Sequence, residues 1–309
     1  MVDLRRHDGT MCEGPEVSHC IRCIASRNPN PRVRWAVGVP GVIPKLAGRL
    51  SRTPLVRYSG ALRQVRDVRE RPAYVREKMQ SVDHVLAYTH LTRDLLQTNG
   101  LGAGKTSVSP YGIDVSDAAP ARERRQPSPT LRVGFVGTLA PHKGPDLPVR
   151  AFRAAPDLDA TLAVYGNSEG YEDYAEELRS LAGDDRRVEF RGTFSLEELG
   201  SVFSEIDMLV VPSRWYENAP GVIFEAFAAG VPVIATNLGG MSEFVRPEEN
   251  GLLFGLEDVE GLACQLNRLA GEPGLLERLR EGIPSVKTVG EYVDEVEELY
   301  DTLLKEQTW

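Results

Sequence analysis

Hydrophobic and polar positions alternate in regular blocks through the second half of the chain. From Leu131 onward, short runs rich in β-branched residues predict buried strands at 131–137, 160–166, 187–191, 208–212 and 231–236. Apolar residues at helical spacing predict helices at 146–155, 171–182, 196–206, 221–229, 257–270, 274–281 and 290–305. This order of strands and helices predicts a parallel sheet covered by helices on both faces, which is a complete Rossmann-like α/β domain.

The first 130 residues show a weaker pattern. Strands are predicted at 84–88 and 106–109, with 33–39 as a third candidate, and helices at about 60–80 and 89–99. Two or three strands are fewer than the roughly five or six of a complete doubly wound sheet. Either the early strands of such a sheet are missing, or this region has another architecture. Residues 117–129, rich in Ala, Pro, Arg and Ser, predict a linker between the halves.

Composition narrows the class of protein. The 309 residues are 41% hydrophobic and 26% charged, which is typical of a globular protein of roughly two domains and excludes disordered and collagenous chains. Four cysteines are too few for a disulfide scaffold. No run approaches the roughly 18 apolar residues of a membrane span, and residues 1–10 include the charged residues Arg5, Arg6 and Asp8 where a signal peptide has an apolar core. We therefore expect a cytoplasmic protein.

The net charge of −9 conceals two oppositely charged halves. Residues 1–130 contain 21 Lys and Arg against 12 Asp and Glu, whereas residues 131–309 contain 15 against 33. The basic half, with an apolar stretch at 35–50 followed by an Arg-rich helix to Lys78, is suited to peripheral contact with an anionic membrane at its inner face. Two alternatives stay open: the charge is merely solvated surface, or the apolar stretch is uncovered core. A nucleic-acid partner is not expected.

The strongest pattern for chemistry is a strand, a polar loop and a helix between Val210 and Ala235. Glu217 lies in the loop beyond the carboxyl end of a strand, where open α/β sheets bind ligands. Glu225 follows eight residues later, just over one turn into the helix, so both carboxylates can face one crevice and accept hydrogen bonds from sugar hydroxyls. The alternative is structural: Glu217 caps the helix and Glu225 forms an ion pair.

A second pattern, from Gly134 to Gly144, joins a strand, a glycine turn and a lysine just before a helix. The small residues Gly137 and Thr138 would admit phosphate groups to the backbone, and Lys143 would supply a mobile cation. Simple turn chemistry explains the same residues, so this pattern alone is weak.

Together these residues resemble the nucleotide-sugar domain of the family 4 glycosyltransferases, which are retaining enzymes of the GT-B fold. The resemblance covers residues 131–285 and rests on the Glu217-x7-Glu225 block, the following Gly230-Val-Pro-Val-Ile and the segment Gly239-Gly-Met-Ser-Glu243. Upstream, Tyr111-Gly-Ile-Asp114 resembles the segment that closes the family's N-terminal domain. The resemblance implies an α/β, GT-B-like fold with one complete Rossmann-like domain and an incomplete N-terminal one.

The resemblance also implies a division of the chain and a role for each site residue. Residues 1–128 would be a partial, acceptor-side N-terminal domain, 129–285 the donor-binding domain, and 286–309 a C-terminal helix packing back toward the N-terminal domain. Glu217 would bind hydroxyls of the donor hexose, Glu225 the ribose, and Lys143 the diphosphate, so Glu217 and Lys143 are the implied catalytic residues. The implied donor-binding positions are Gly137, Thr138, Lys143, Glu217, Asn218, Ala219, Pro220, Gly221, Val222 and Glu225.

The implied function is transfer of a hexose from a nucleotide-sugar to a glycan or lipid-linked acceptor with retention, without a metal or other cofactor. The chain departs from the family at Thr138, where many members have Arg, and at Pro220-Gly221, where the usual order is Gly and an apolar residue. The family's opening strands, Gly-rich loop and active-site His are expected upstream of Met1. The alternative function is therefore a non-catalytic nucleotide-sugar-binding fragment or subunit that lacks half of the active site.

Cysteines near the N-terminus form a separate candidate site. Cys20 and Cys23 make a Cys-x2-Cys pair, and Cys12 lies eight residues earlier, which is the donor composition of a structural zinc site. Three thiols are one ligand short, although a nearby histidine could supply the fourth. The alternative is free thiols in a reducing cytoplasm. Cys264 lies in an apolar helical pattern and is predicted to be in the core.

Overall fold

The computed structural model describes residues 60–102, 104–119 and 121–306, together with residues 20, 22–23, 26, 46 and 49–54. The strand candidate at 33–39 and most of the apolar stretch at 35–50 lie outside the described residues. The chain divides into two compact units. The first contains the described residues up to Leu86 together with Arg93–Ser107, and the second contains Ala87–Thr92 and the described residues from Val108 onward.

Residues 60–102 and 104–108 form two helices and a two-stranded sheet. The helices are α1 (Gly60–Gln80) and α2 (His90–Thr98), and the strands are β1 (Val85–Ala87) and β2 (Thr106–Val108). All four agree with the sequence prediction to within one or two residues. In the described part of the chain, no helix combines the length and the apolar character needed to cross a membrane.

The later part is built on a six-stranded parallel sheet. Its strands are β3 (Leu131–Val136), β4 (Ala160–Tyr165), β5 (Val188–Gly192), β6 (Met208–Val211), β7 (Val233–Thr236) and β8 (Gly251–Phe254). They lie in the order β5-β4-β3-β6-β7-β8, with every pairing parallel. This is the strand order of a Rossmann fold, with the reversal of winding between β3 and β6. The prediction of an α/β fold with a complete Rossmann-like domain is confirmed.

Helices connect and cover these strands. The α-helices are α3 (Ala121–Arg124), α4 (Asp146–Ala154), α5 (Glu172–Ala182), α6 (Leu199–Ser204), α7 (Gly221–Ala228), α8 (Met241–Phe244), α9 (Val259–Gly271), α10 (Leu275–Glu281) and α11 (Val289–Glu306). Single 3₁₀ turns occupy Pro141–Lys143 and Leu196–Glu198. The sequence pattern missed β8 and the short helices α3 and α8.

The core lies on both faces of the sheet. Consecutive residues of β6 alternate between two apolar clusters: Met208 and Val210 belong to one, and Leu209 and Val211 to the other. Phe152 anchors the first cluster and Phe203 the second, both completely buried. Because each such side chain contributes about 1.5–3 kcal/mol on burial, the two clusters give the sheet a rigid frame for the loops at its edge.

One core prediction is wrong. Cys264 is exposed, although it lies in the apolar helix α9. The buried positions of α9 are Leu262, Ala263, Leu266 and Leu269, and Cys264 is two residues, or about 200°, around the helix from Leu262. The cysteine therefore faces away from the sheet.

The predicted linker at 117–129 contains the short helix α3 and two arginines that hold the end of α7. Arg122 donates to the carbonyls of Phe227 at 2.9 Å and Ala228 at 3.2 Å, and Arg125 donates to those of Ala229 at 3.0 Å and Gly230 at 3.1 Å. These carbonyls lie at the carboxyl end of α7, where positive charge is favourable. The two arginines thus fix the far end of the helix whose start forms the site.

Candidate functional site

Two polar loops meet at the carboxyl edge of the sheet, at the point where its winding reverses. One loop follows β3 and the other follows β6, and these two strands are direct neighbours through Val133↔Met208 and Gly134↔Leu209. The next strands, β4 and β7, continue outward on opposite sides. In open α/β sheets, ligands usually bind in a crevice at this edge, where the winding reverses.

The loop after β3 lies closely against the loop after β6. Gly144 has a left-handed backbone (φ 70°), and a Cβ there would overlap the carbonyl oxygen of Pro212. The amide of Arg214 donates to the carbonyl of His142 at 2.8 Å, and the rings of His142 and Trp215 stack with centroids 3.9 Å apart. These contacts hold the 3₁₀ turn that ends at Lys143 in one position.

Lys143 and Glu217, one from each loop, form an ion pair. Lys143 Nζ lies 2.7 Å from Glu217 Oε1, and the hydroxyl of Ser213 donates to the same oxygen at 3.0 Å. Ser213 is 1% exposed, and its hydroxyl also lies 3.3 Å from the carbonyl oxygen of His142, in the loop after β3. The two residues that the sequence assigned separately to a sugar and to a diphosphate thus share one site.

A second, more buried ion pair braces the same two loops. The guanidinium of Arg214 donates to both carboxylate oxygens of Asp146, at 2.6 and 2.9 Å, and to the carbonyl of Pro141 at 2.7 Å. Burial alone would raise the pKa of Asp146, but the hydrogen bonds from Arg214 and from Tyr174 lower it to about 2. Asp146 is therefore charged at neutral pH and clamps Arg214 across the base of the loops.

Glu225 differs from Glu217 and Asp146, the other two carboxylates described at this edge, because no ion pair holds it. Among the described residues it has no hydrogen-bond or ion-pair partner, and burial raises its pKa. The hydroxyl of Tyr111 lies nearby, and its pKa is raised as well. Burial is the largest cause of this rise, and the charges of Glu225, Tyr88 and Glu217 add to it. An unpaired carboxylate that is costly to keep charged, beside a ligand crevice, is typical of a binding residue.

The loop between Glu217 and α7 is fixed by side chains from earlier in the chain. The hydroxyl of Tyr111 donates to the carbonyl of Ala219 at 2.8 Å. The hydroxyls of Thr89 and Thr92 lie 2.7 and 2.5 Å from Asn218 Oδ1. All of these residues belong to the second compact unit. The loop is thus held from outside its own strand and helix.

Glu243 anchors the segment that carries these threonines. Its two carboxylate oxygens accept the backbone N–H groups of His90 at 2.7 Å and Leu91 at 2.8 Å, which are the first two amides of α2. The hydroxyl of Thr89 accepts the third, from Thr92, at 3.1 Å. A carboxylate at a helix start stabilises the helix and satisfies amides that have no partner within it.

The structure places the predicted donor-binding residues on the two loops and at the start of α7. Lys143 and Glu217 are in direct contact, and Asn218 continues the same loop into Pro220, which precedes α7, and Gly221, its first residue. Gly137, Thr138, Ala219, Val222 and Glu225 lie on the two loops and in the first turns of α7.

The metal prediction is not tested by the structure. Cys20 and Cys23 are partly buried, and Cys12 lies outside the described residues. Within the described ranges, no group of three or more His, Cys, Asp or Glu side chains could hold a metal ion.

Sequence reasoning missed the side chains that hold the loop. The sequence indicates only a helix start at Thr89, a domain end at Tyr111, and a motif without a stated role at Glu243. Ser213, two residues after β6, could have been found from its position at the carboxyl end of a buried strand. The threonines carry no such signal because their partner is more than 120 residues away.

The later part of the chain is similar to known proteins. Residues 130–272 match the family model described as glycosyl transferases group 1. The D-inositol 3-phosphate glycosyltransferase of Rhodococcus jostii is 34% identical over 219 residues, which are 65% of this chain and 48% of that protein. An uncharacterized glycosyltransferase of Methanocaldococcus jannaschii is 30% identical over 46% of this chain and 36% of its own length. The chain spans about half the length of the curated relatives it matches or less.

Solved structures show the same architecture. Sucrose-phosphate synthase of Thermosynechococcus elongatus aligns with a TM-score of 0.64 and 27% identity over 77% of this chain and 63% of that one. HepE of Anabaena, solved with UDP and glucose, aligns with a TM-score of 0.63 and 22% identity over 74% and 66%. A glycosyltransferase of Rickettsia africae aligns with a TM-score of 0.66 and 16% identity over 91% and 84%. The last two likenesses concern the fold alone.

Proposed function

Residues 130–272 of this chain belong to the glycosyl transferases group 1, and on that premise we propose that the protein is a retaining hexosyltransferase. It takes a hexose from a nucleotide-sugar donor and transfers it to a glycan or lipid-linked acceptor. The donor occupies the crevice between the loops after β3 and β6. Lys143 binds the diphosphate, Glu217 the hexose hydroxyls, and Glu225 the ribose.

The observation that carries this proposal is the ion pair of Lys143 and Glu217 at 2.7 Å. A nucleotide-sugar presents anionic phosphates directly beside hydroxyl groups, so its binding site needs a cation directly beside a carboxylate. The Lys143 side chain is 35% exposed and the Glu217 side chain 13% exposed, so both can reach a ligand from the crevice. The ion pair of Arg132 with Asp207, by contrast, lies at the opposite edge of the sheet, where β3 and β6 begin.

Glu225 supports the assignment of the nucleoside end. A carboxylate oxygen accepts two hydrogen bonds, and the vicinal hydroxyls of a ribose offer two donors. The desolvation that raises the pKa of Glu225 costs the empty protein stability, and a ligand that donates to the carboxylate offsets this cost. This arrangement favours a ribose over a structural role.

In the proposed reaction, the acceptor hydroxyl attacks the anomeric carbon from the side of the leaving group. The bond from that carbon to the diphosphate oxygen breaks with both electrons going to the oxygen, and the acceptor proton passes to a diphosphate oxygen. Lys143 and the free amides at the start of α7 stabilise the negative charge that develops there. No protein nucleophile and no cofactor beyond the donor is used in this scheme.

The remaining expectations about the whole protein stay predictions. They are the division at residues 128 and 285, a cytoplasmic location with contact at the inner face of an anionic membrane, and a structural zinc ion at Cys12, Cys20 and Cys23.

Isothermal titration calorimetry with UDP-, GDP- and ADP-glucose tests the proposal. We expect the chain to bind one of these donors, and Lys143→Ala to weaken that binding at least tenfold, because a charged hydrogen bond contributes about 1.5–3 kcal/mol. Lys78→Ala is the matched control, since Lys78 also forms a lysine–glutamate pair, with Glu77 at 3.2 Å, but on α1. Equal affinities of wild type and Lys143→Ala would refute the role of Lys143.

Mass detection of products with a panel of acceptors tests the reaction itself. Product formation with retained anomeric configuration supports a transferase. Tight donor binding without any product would favour the alternative, a non-catalytic nucleotide-sugar-binding polypeptide.

A further inference from the structure

The side chain of Asn218 is held by two threonines at the base of the loop. Thr89 Oγ1 and Thr92 Oγ1 lie 2.7 and 2.5 Å from Asn218 Oδ1. Thr89 is completely buried, and Asn218 is half-buried at the edge of the crevice, directly after Glu217. An asparagine amide has one accepting and one donating end, so its orientation decides what it offers to a ligand.

The distances assign the accepting end to the threonines. Hydroxyl-to-carbonyl hydrogen bonds are typically 2.7–2.8 Å long and range from about 2.5 to 3.0 Å, whereas N–H donors lie about 2.9 Å from their acceptors. Both contacts to Asn218 fit hydroxyl donors and are short for an amide N–H. The Thr89 hydroxyl also accepts the backbone N–H of Thr92 at 3.1 Å and lies 2.9 Å from the Thr92 hydroxyl, and the shorter contact, 2.7 Å, is the one through which it donates to Asn218 Oδ1.

The donating end of the amide is then turned away from the threonines. No described residue accepts a hydrogen bond from Asn218 Nδ2, which leaves two N–H groups for a ligand. The backbone around the amide is fixed as well: Gly240 donates to the carbonyl of Glu217 at 2.8 Å, and a Cβ at Gly240 would overlap the carbonyl oxygen of Asn218. The threonines themselves are held by the cap that Glu243 places on α2.

We propose that Thr89 and Thr92 are positioning residues that lock the Asn218 amide, so that its two N–H groups bind oxygen atoms of the transferred hexose. Without both hydroxyls, the amide can rotate and present its carbonyl to the crevice. The inference rests on the proposed function and deepens it. Thr89 and Thr92 precede residues 130–272, so the donor loop of this domain depends on a segment that the family match does not cover.

The experiment is a double-mutant cycle with Thr92→Val, Asn218→Ala and the double variant. Each protein is titrated with the tightest-binding donor among UDP-, GDP- and ADP-glucose, and separately with the matching nucleoside diphosphate. We expect Thr92→Val to weaken donor binding about fivefold, which is about 1 kcal/mol, and to leave nucleoside diphosphate binding unchanged. In the Asn218→Ala background, Thr92→Val should have no further effect. Thr92→Ser, which keeps the hydroxyl, should bind like wild type.

The other possible outcomes overturn either the positioning role of the threonines or the proposed function itself. Donor binding by wild type that Thr92→Val leaves unchanged overturns the positioning role alone. An equal loss of donor and nucleoside diphosphate affinity, or additive effects of the two substitutions, shows a structural role and also overturns it. Failure of the folded wild-type chain to bind any of the three donors overturns the proposed function and this inference with it.

A second variant covers the case in which Thr92→Val does not fold. Asn218→Asp keeps an oxygen for both threonine hydroxyls but replaces the two N–H donors with a negative oxygen. We expect it to lose the affinity gained from the hexose while it still binds the nucleoside diphosphate within about threefold of wild type. Unchanged donor affinity in this variant would likewise overturn the inference.

Discussion

Replacement of Glu217 by Gln should change the binding of a nucleoside diphosphate and of a nucleotide-sugar in opposite directions. In the structure, Glu217 Oε1 accepts from both Lys143 and Ser213, at 2.7 and 3.0 Å. Glutamine has the same shape and keeps the Ser213 contact, but it removes the negative charge beside Lys143. Lys143 is then freed for a diphosphate, while the hexose loses a charged acceptor for its hydroxyls.

The structure sets the size of both effects. With the Lys143 side chain 35% exposed, the ion pair contributes about 0.2–1 kcal/mol, so its loss should tighten nucleoside diphosphate binding by up to about fivefold. A hydrogen bond from a sugar hydroxyl to a carboxylate contributes about 1.5–3 kcal/mol. The affinity gained from the hexose should therefore fall by about ten- to a hundredfold.

Calorimetric titration with a nucleotide-sugar and with its nucleoside diphosphate measures both constants. Glu189→Gln is the control, because Glu189 also pairs with a cation, Arg191 at 2.7 Å, but on the edge strand β5. A parallel fall of both affinities in Glu217→Gln would refute the reasoning, since it would mean that Glu217 serves only to orient Lys143.

Three further predictions follow from the geometry around the site. Because burial raises the pKa of Glu225, the stability of the wild type falls as the pH rises from the pKa of this carboxyl in the unfolded chain to its pKa in the folded protein. Glu225→Gln should lack this fall and be about 0.5–2 kcal/mol more stable at pH 7, as measured by urea unfolding. The same variant should bind the nucleotide more weakly. Gly240→Ala should cost about 1–3 kcal/mol and reduce donor affinity, since its Cβ would overlap the carbonyl of Asn218, whereas Gly271→Ala, with open space around the Cβ, should be tolerated in the same unfolding and binding assays. The carboxyl of Asp146, with its pKa lowered to about 2, should add about 2 kcal/mol to the free energy of unfolding above pH 4, and this contribution is lost as the pH falls toward 2. Urea unfolding of Asp146→Asn should show a smaller loss of stability across this pH range.

Most elements of the second half were predictable because their signal is local. The segment Met208–Val211 is apolar at every position, so its own residues predict a buried parallel strand before its neighbours in the sheet are known. The turn at Gly144 and the start of α7 at Gly221 follow from residues within a few positions. The same local logic failed at Cys264, where an apolar neighbourhood in sequence did not reveal which side of α9 faces the sheet.

Local patterns were also sufficient to select Lys143 and Glu217 as candidates, because each follows a strand at the edge where ligands bind. They could not show that the two side chains form one ion pair, since that contact depends on β3 and β6 being neighbours. Nor could they show that Glu225 has no partner among the described residues, because a carboxylate in a helix can pair with a cation from a distant part of the chain.

The sequence by itself therefore determined the fold class, the order of the elements and the residue types at the crevice, because periodicity and strand-end position act over a few residues. The tertiary structure alone decided how the loop after Glu217 is held. Thr89, Thr92 and Tyr111 reach it from more than 100 residues away, and Arg122 and Arg125 secure the far end of α7. These contacts join residues that are far apart in the sequence and are brought together only by the tertiary fold. Periodic patterns describe residues a few positions apart and therefore do not predict such contacts.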